Sequence, residues 1–295
     1  MERQKKTKTG ANICTLNDLN FNVEIRPETM PCNKEYSQRV IGQINGNDFL
    51  LNQCSNIYTL VKNVDIFPNI EKVLTENNIA FSVTYSHINN VRFYADYIIE
   101  DSRYSYNMKN TTDYIKPMLR VQHSYNGLTK YRIIFGYYRL VCTNGMTIPI
   151  QEMKNFNLVI VGKHTASIEH SFNELDKMLK YFAVNAKQIT EEITAKYELL
   201  GGRMVTNLED RITEVLNAVK MPIVDNSKFN TLNYITSIAK HDANDNTLGY
   251  NGRVNDFLLY NAINQYLNDD SRNIAVPEKR METDSKVLEF MLINA

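Results

Sequence analysis

Tryptophan is absent from this 295-residue chain, and cysteine occurs four times, at positions 14, 32, 54 and 142. That spacing matches neither a paired zinc knuckle nor a Cys-x-x-Cys redox pair, so reduced thiols are expected and no metal or cofactor is assigned. Neither charge is in excess, since 33 lysines and arginines balance 33 aspartates and glutamates. A chain without a net field does not gather DNA or anionic lipid by charge alone, so a nucleic-acid site has to be a local patch. No apolar run approaches the length of a membrane span. The charged start, MERQKKTKTGAN, is not followed by the apolar core of a secretion signal, which leads us to expect a cytoplasmic protein with no membrane partner. Gly201-Gly202 lacks the preceding strand and following Gly-Lys-Ser/Thr of a phosphate loop and reads as a helix stop. Glu100-Asp101 and Glu191-Glu192 form no nuclease constellation and read as solvated faces.

What is present is a stretch of strand-forming sequence, Leu119 to Ile150, punctuated by Asn126-Gly127 and Asn144-Gly145. Asn-Gly pairs supply the positive φ values of a tight hairpin turn, so a β-meander is expected there. In its first run Leu119 and Val121 alternate with Arg120 and Gln122, leaving one face wet. The second run, Tyr131 to Cys142, is apolar on both parities and reads as a central strand. Arg132 and Arg139 interrupt it, either as internal ion pairs or as side chains that snorkel to the rim to meet a carboxylate or phosphate. Upstream, Ile79 to His87 and Val91 to Ile99 alternate cleanly and Asn89-Asn90 turns the chain between them. Arg92, Tyr94 and Asp96 then share a face.

The remaining periodicities place edge strands and loops over 11–50, two short helices over 55–77 with Ser55 as N-cap and Pro68 as the break, a loop over 100–116, and a last strand over 156–161. Beyond His164 the texture is helical. Phe172, Leu175, Leu179, Phe182, Ala186, Ile189, Ile193 and Leu200 form a seam of about four heptads, which suits either a neighbouring helix or a second copy. Further helices are expected over 208–220, 229–240 and 253–267. The fold class is α+β: an antiparallel β-meander sheet packed by helices, then a mainly helical C-terminal half. The expected divisions are an N-terminal arm over 1–48, the sheet core over 49–165 and the helical region over 166–295.

Three motifs occur together: Ser124-Tyr125-Asn126-Gly127, then Tyr138-Arg139-Leu140-Val141-Cys142-Thr143-Asn144-Gly145-Met146, and Leu259-Tyr260-Asn261-Ala262-Ile263-Asn264-Gln265-Tyr266. In these the chain resembles the family catalogued as a domain of unknown function, number 932. The resemblance implies a phage or prophage origin, hence a host-cytoplasm location, but no activity. The helix, meander and long helix are also similar in architecture to phage single-strand annealing proteins, which act in recombination as oligomers without cofactor or catalytic residue. The resulting expectation is a non-enzymatic, nucleic-acid-associated protein that binds and anneals single-stranded DNA, with a homo-oligomer as its working form. Arg92, Arg120, Lys130, Arg132 and Arg139 are the candidates for phosphate, and Tyr85, Tyr94 and Tyr125 for base stacking. The family-marked Cys142, Asn144, Gly145 and Asn261 are read as structural: a buried thiol, a turn, and an amide tying the helical half to the sheet. The alternatives are an interaction protein that binds or inhibits a host factor through the heptad seam, and a metal-dependent nuclease.

Overall fold

Short strand β1 (Asn12–Cys14) and helix α1 (Leu16–Leu19) lead into a three-stranded antiparallel sheet, β2 (Asn22–Glu28), β3 (Ser37–Ile44) and β4 (Asn47–Cys54). Asn45 and Gly46, at φ 53° and 77°, close the β3–β4 hairpin as a two-residue turn, the geometry that matches strand twist. The periodicity did not separate β4 from loop, because Leu51 turns inward while the adjacent Leu50 is 55 % exposed. Helix α2 (Asn63–Glu76) replaces the two short helices expected, and Pro68 lies inside it. Pro68 and Val64, four residues earlier, are both on the exposed side, so the carbonyl deprived of an N–H partner is open to water and the helix continues. Ile66, Phe67, Ile70 and Leu74 on the other side are fully buried.

The computed structural model describes residues 12–28, 37–55, 58–127, 129, 131–139, 145–146, 159–162, 168–268 and 277–293. The chain packs as two units that interleave in sequence: Met1–Glu100, Leu119–Phe135 and Asn157–Ala183 in the first, and Asp101–Met118, Gly136–Phe156 and Val184–Ala295 in the second. Sequential blocks divided at 48 and 165 are therefore not the packing units.

In the first unit β5 (Phe81–Ile88) and β6 (Arg92–Ile99) pair in unbroken antiparallel register from Phe81 opposite Ile99 to Ile88 opposite Arg92. With β7 (Tyr106–Asn107), β8 (Tyr114–Ser124), β9 (Tyr131–Arg139), β10 (Gly145–Met146) and β11 (Val159–Gly162) numbered along the chain, the strand order here is β1-β5-β6-β8-β9, and β11 also pairs with β9. Alternation sets the two faces. Phe93, Ala95, Tyr97 and Ile99 of β6, Leu119, Val121 and His123 of β8, and Ile133 and Phe135 of β9 are all fully buried. The β8–β9 connection is longer than a two-residue turn: of Asn126-Gly127 only Gly127 has positive φ, 68°. The Ser124 hydroxyl spans the loop, donating to the Thr129 carbonyl at 2.9 Å and accepting the Thr129 N–H at 3.0 Å.

The second unit holds the C-terminal part of helix α3 (Ile168–Gly201), then α4 (Leu208–Ala218), the small hairpin β12 (Asp225–Asn226) and β13 (Phe229–Asn230), and α5 (Thr231–Asn244), α6 (Asp256–Leu267) and α7 (Pro277–Ile293). Asn207, Asn230 and Asn255 cap α4, α5 and α6, each side chain accepting the N–H three residues on, the bond that satisfies a helix start. Helix α6 is interior, with Phe257 to Tyr260, Ala262 and Ile263 fully buried. The heptad seam is consumed within one chain: Leu175, Leu179, Ile189 and Leu200 are fully buried and Ile193 is 2 % exposed. The seam's Phe172, Phe182 and Ala186 side chains lie outside the described set. No described helix is long and apolar enough to cross a membrane.

Candidate nucleic-acid interface

The face of the first unit's sheet opposite its buried side chains carries the candidate site. Arg92, Tyr94 and Asp96 alternate with the buried residues of β6 and are half-exposed. Register brings Ile88, Ser86 and Thr84 of β5 opposite them. On β8, Arg120 belongs to the same face, because its guanidinium grips Asp96 through two bonds, Nε to Oδ1 at 2.7 Å and Nη2 to Oδ2 at 2.9 Å. On β9, Arg132 pairs directly with Val161 of β11, which is 52 % exposed. Directly opposed residues share a face, so Arg132 lies on the open side. Three arginines thus share a half-open face with Asp96, and Ser82 and Thr84 continue it with exposed hydroxyls, that of Ser82 donating to the Glu100 carboxylate at 2.7 Å.

The arginines differ in how their charge is matched. Arg120 and Asp96 are 24 % and 26 % exposed, a bidentate pair that fixes the guanidinium plane yet leaves it in reach of solvent. Arg92 has no ion-pair partner among the described residues. The buried Nε of Arg132 has no hydrogen-bond acceptor among them, and the Oε1 of Gln122 on β8 likewise lacks a donor. Unsatisfied buried polar atoms are uncommon and mark places where a further group completes the bonding.

Three of the residues expected to touch nucleic acid are instead structural. Tyr85 is 7 % exposed; its hydroxyl donates to Glu71, and its ring packs edge-on against Phe67 at 5.6 Å. Tyr125 is 1 % exposed, accepts the Asn63 N–H at 3.0 Å and meets Phe93 edge-on at 5.0 Å. Burial pushes the pKa of its hydroxyl well above the ordinary value. Tyr85 lies on the core side of β5 opposite Ala95, the usual fate of strand tyrosines, and Tyr125 directly follows the last residue of β8. Lys130, Cys142 and Asn144 lie outside the described residues.

Arg139 is the clearest correction. It is fully buried, with Nε 2.7 Å and Nη2 2.6 Å from Oδ2 of Asp113 and Nη1 2.6 Å from Oδ2 of Asp242. Tyr250 donates to the same Asp113 oxygen at 2.9 Å, and the guanidinium lies 5.5 Å from the Phe257 ring centroid. Buried charge is stable when paired and hydrogen-bonded, and this one is held by two carboxylates, leaving nothing to offer a phosphate. Asn261, expected to join the helices to the sheet, is buried but donates to the Phe257 carbonyl at 2.7 Å within its own helix. Gly145 pairs with Tyr138 at the start of β10. No cluster of three or more His, Cys, Asp or Glu side chains suited to a metal is assembled among the described residues.

Residues 50–270 match the family described as Domain of unknown function (DUF932). The chain belongs to this family. No curated protein matches it, and no solved structure does. In this DUF932 chain the matched span contains both the open sheet face and the buried Arg139 cluster, so family membership covers the whole of the candidate site without assigning it a ligand.

Proposed function

We propose that this DUF932 protein is a non-catalytic binder of single-stranded nucleic acid, that its contact surface is the open sheet face bearing Arg92, Arg120 and Arg132, and that it serves strand annealing in phage recombination. One observation carries the reading: three arginines share a half-open face with Asp96 and with Glu100, bound to Ser82 at its edge, in a chain whose total charge is zero. Such a local excess is what phosphate contact requires. Tyr94, half-exposed between Arg92 and Asp96 on the same strand, is the base-stacking residue, a role tolerant of sequence because every base has a π-face. Exposed Thr84 supplies an uncharged donor to phosphate oxygens. Arg120 is oriented by Asp96 and is 24 % exposed.

The test is fluorescence anisotropy with a labelled single-stranded oligonucleotide at low salt, followed by annealing of complementary strands. Arg92→Ala with Arg132→Ala should weaken binding at least tenfold while the circular dichroism spectrum and melting temperature are retained. A folded double variant that binds as the parent does would refute the assignment of this face, and failure of the parent protein to bind would refute the function.

A further inference from the structure

A second polar site lies in the helical unit. It is a cavity of about 770 Å3 between the segment Met204–Glu209, helix α5 and the loop before α6. Thr236, Lys240 and Asn244 line it from α5, and their spacing of four places them on one helix face. Arg253 enters from the loop. That loop is clamped to the helix end by the Gly252 N–H, which donates to the Ala243 carbonyl at 2.8 Å. Gly252 is required there twice over: its φ is +75°, and a Cβ would stand 3.2 Å from the Asn244 side-chain oxygen. The clamp fixes the loop residue next to Arg253 to the end of the helix that carries Lys240, and both cations line the cavity. Neither cation makes an ion pair among the described residues, and the buried hydroxyl oxygen of Thr236 has no hydrogen-bond partner among them.

The opposite wall has the other polarity. Asn207 caps helix α4, and Glu209 and Asp210 fill its first turn, so that end repels an anion in spite of the helix dipole. Glu209 faces the cavity as an acceptor, beside Met204, Leu208 and Val254. The volume lies within the range of small-molecule sites and exceeds the needs of a bare inorganic ion. Two cations, a carboxylate and apolar side chains lining one cavity suit a ligand with a dianionic head and a hydroxyl-bearing body. We infer that this cavity binds a phosphate monoester of the nucleoside type, with the phosphate on Lys240 and Arg253 and the sugar hydroxyls toward Glu209. The same chemistry is presented by a free nucleotide and by the 5′-phosphorylated end of a strand.

The experiment is isothermal titration of the full chain with adenosine monophosphate, with a 5′-phosphorylated dinucleotide, and with inorganic phosphate. One of the two esters should bind with unit stoichiometry at least tenfold more tightly than inorganic phosphate, and the tighter one names the source. Lys240→Ala with Arg253→Ala replaces exposed side chains, so it should leave the melting temperature unchanged and weaken ester binding at least tenfold. The Arg92→Ala, Arg132→Ala variant should bind the ester as the parent does, which separates this site from the sheet face. No ester binding at millimolar concentration, equal affinity for inorganic phosphate, unchanged affinity in the Lys240, Arg253 variant, or loss in the sheet-face variant would each overturn the inference.

Discussion

Replacing Arg139 by alanine removes the guanidinium that bridges two carboxylates that water barely reaches, one of which, Asp242, also has the exposed His241 ring 3.3 Å away. Asp113 is fully buried and the Asp242 side chain is 7 % exposed. Breaking a buried pair by deleting one partner costs about 3–5 kcal/mol, because the charge left behind is uncompensated. Here two such charges remain, and the Tyr250 hydroxyl bonds only one of them. At about 2–4 °C per kcal/mol for a chain of this size class, the melting temperature should fall by roughly 6–20 °C. Thermal unfolding followed by far-ultraviolet circular dichroism measures this directly. Arg120→Ala is the internal control: its partner Asp96 is 26 % exposed, and pairs open to solvent contribute about 1 kcal/mol or less. The variant Arg139→Met, Asp113→Asn, Asp242→Asn removes the charges together and should recover most of the loss. Equal small effects of Arg139→Ala and Arg120→Ala, or no recovery in the neutral triple variant, would refute the view that the cluster is an obligate buried ion network.

Two further outcomes concern the first unit. His87 is 9 % exposed, its Nδ1 accepts the Asn90 N–H at 3.1 Å in the β5–β6 turn, and burial lowers its pKa below 6.5. The unfolded chain therefore takes up the proton first as pH falls, so stability should decline on acidification from about pH 6.5 through the folded-state value, and His87→Gln should flatten that part of a pH-denaturation curve; an unchanged slope rejects the assignment. Gly42→Ala places a Cβ 2.6 Å from the Phe49 ring and 3.0 Å from both Leu51 and Phe21, an overpacking expected to cost about 1–3 kcal/mol, read as a lowered urea midpoint. A midpoint equal to the parent's would show that the β2–β3–β4 sheet yields without penalty.

The hairpin of β5 and β6 was fully legible in the sequence because its side chains alternate without interruption and both turn asparagines tolerate positive φ. Arg139 was not legible. Its strand neighbours are apolar on both parities, so periodicity could not say which face met solvent, and its partners Asp113 and Asp242 lie 26 and 103 residues away. The one available signal was chemical: an arginine in the middle of an apolar strand needs a carboxylate. Tyr85 failed as a stacking candidate for a reason that pairing did contain, since it stands opposite the fully buried Ala95, and Tyr125 failed because it turns into the core just past the end of β8. The cavity beside Lys240 was missed because its cations come from a helix face and from a loop positioned by Gly252, and neither forms a motif. Helix α7 was missed because PEKRMETDSK is mostly polar, and the side chains it turns inward include the polar Asp284 and Ser285 beside Val287, Leu288 and Met291.

The charge balance of the sheet face also sets a quantitative expectation for its salt dependence. Arg92 and Arg132 can each neutralise a phosphate directly, whereas Arg120 already shares its charge with Asp96. Two phosphates neutralised on a single strand give a slope of log K against log salt of about −1.4, and recruitment of Arg120 would raise it only to about −2.1. So shallow a slope means that one chain holds a strand weakly, and that tight binding has to come from several chains engaging the same strand, where each later contact is intramolecular. Binding should accordingly strengthen with oligonucleotide length beyond the site of one chain while the slope per bound chain stays constant. A steep slope on a strand only long enough for one chain would place the main phosphate contacts elsewhere on the molecule, and a length-independent affinity would remove the argument for cooperative assembly on which the annealing role depends.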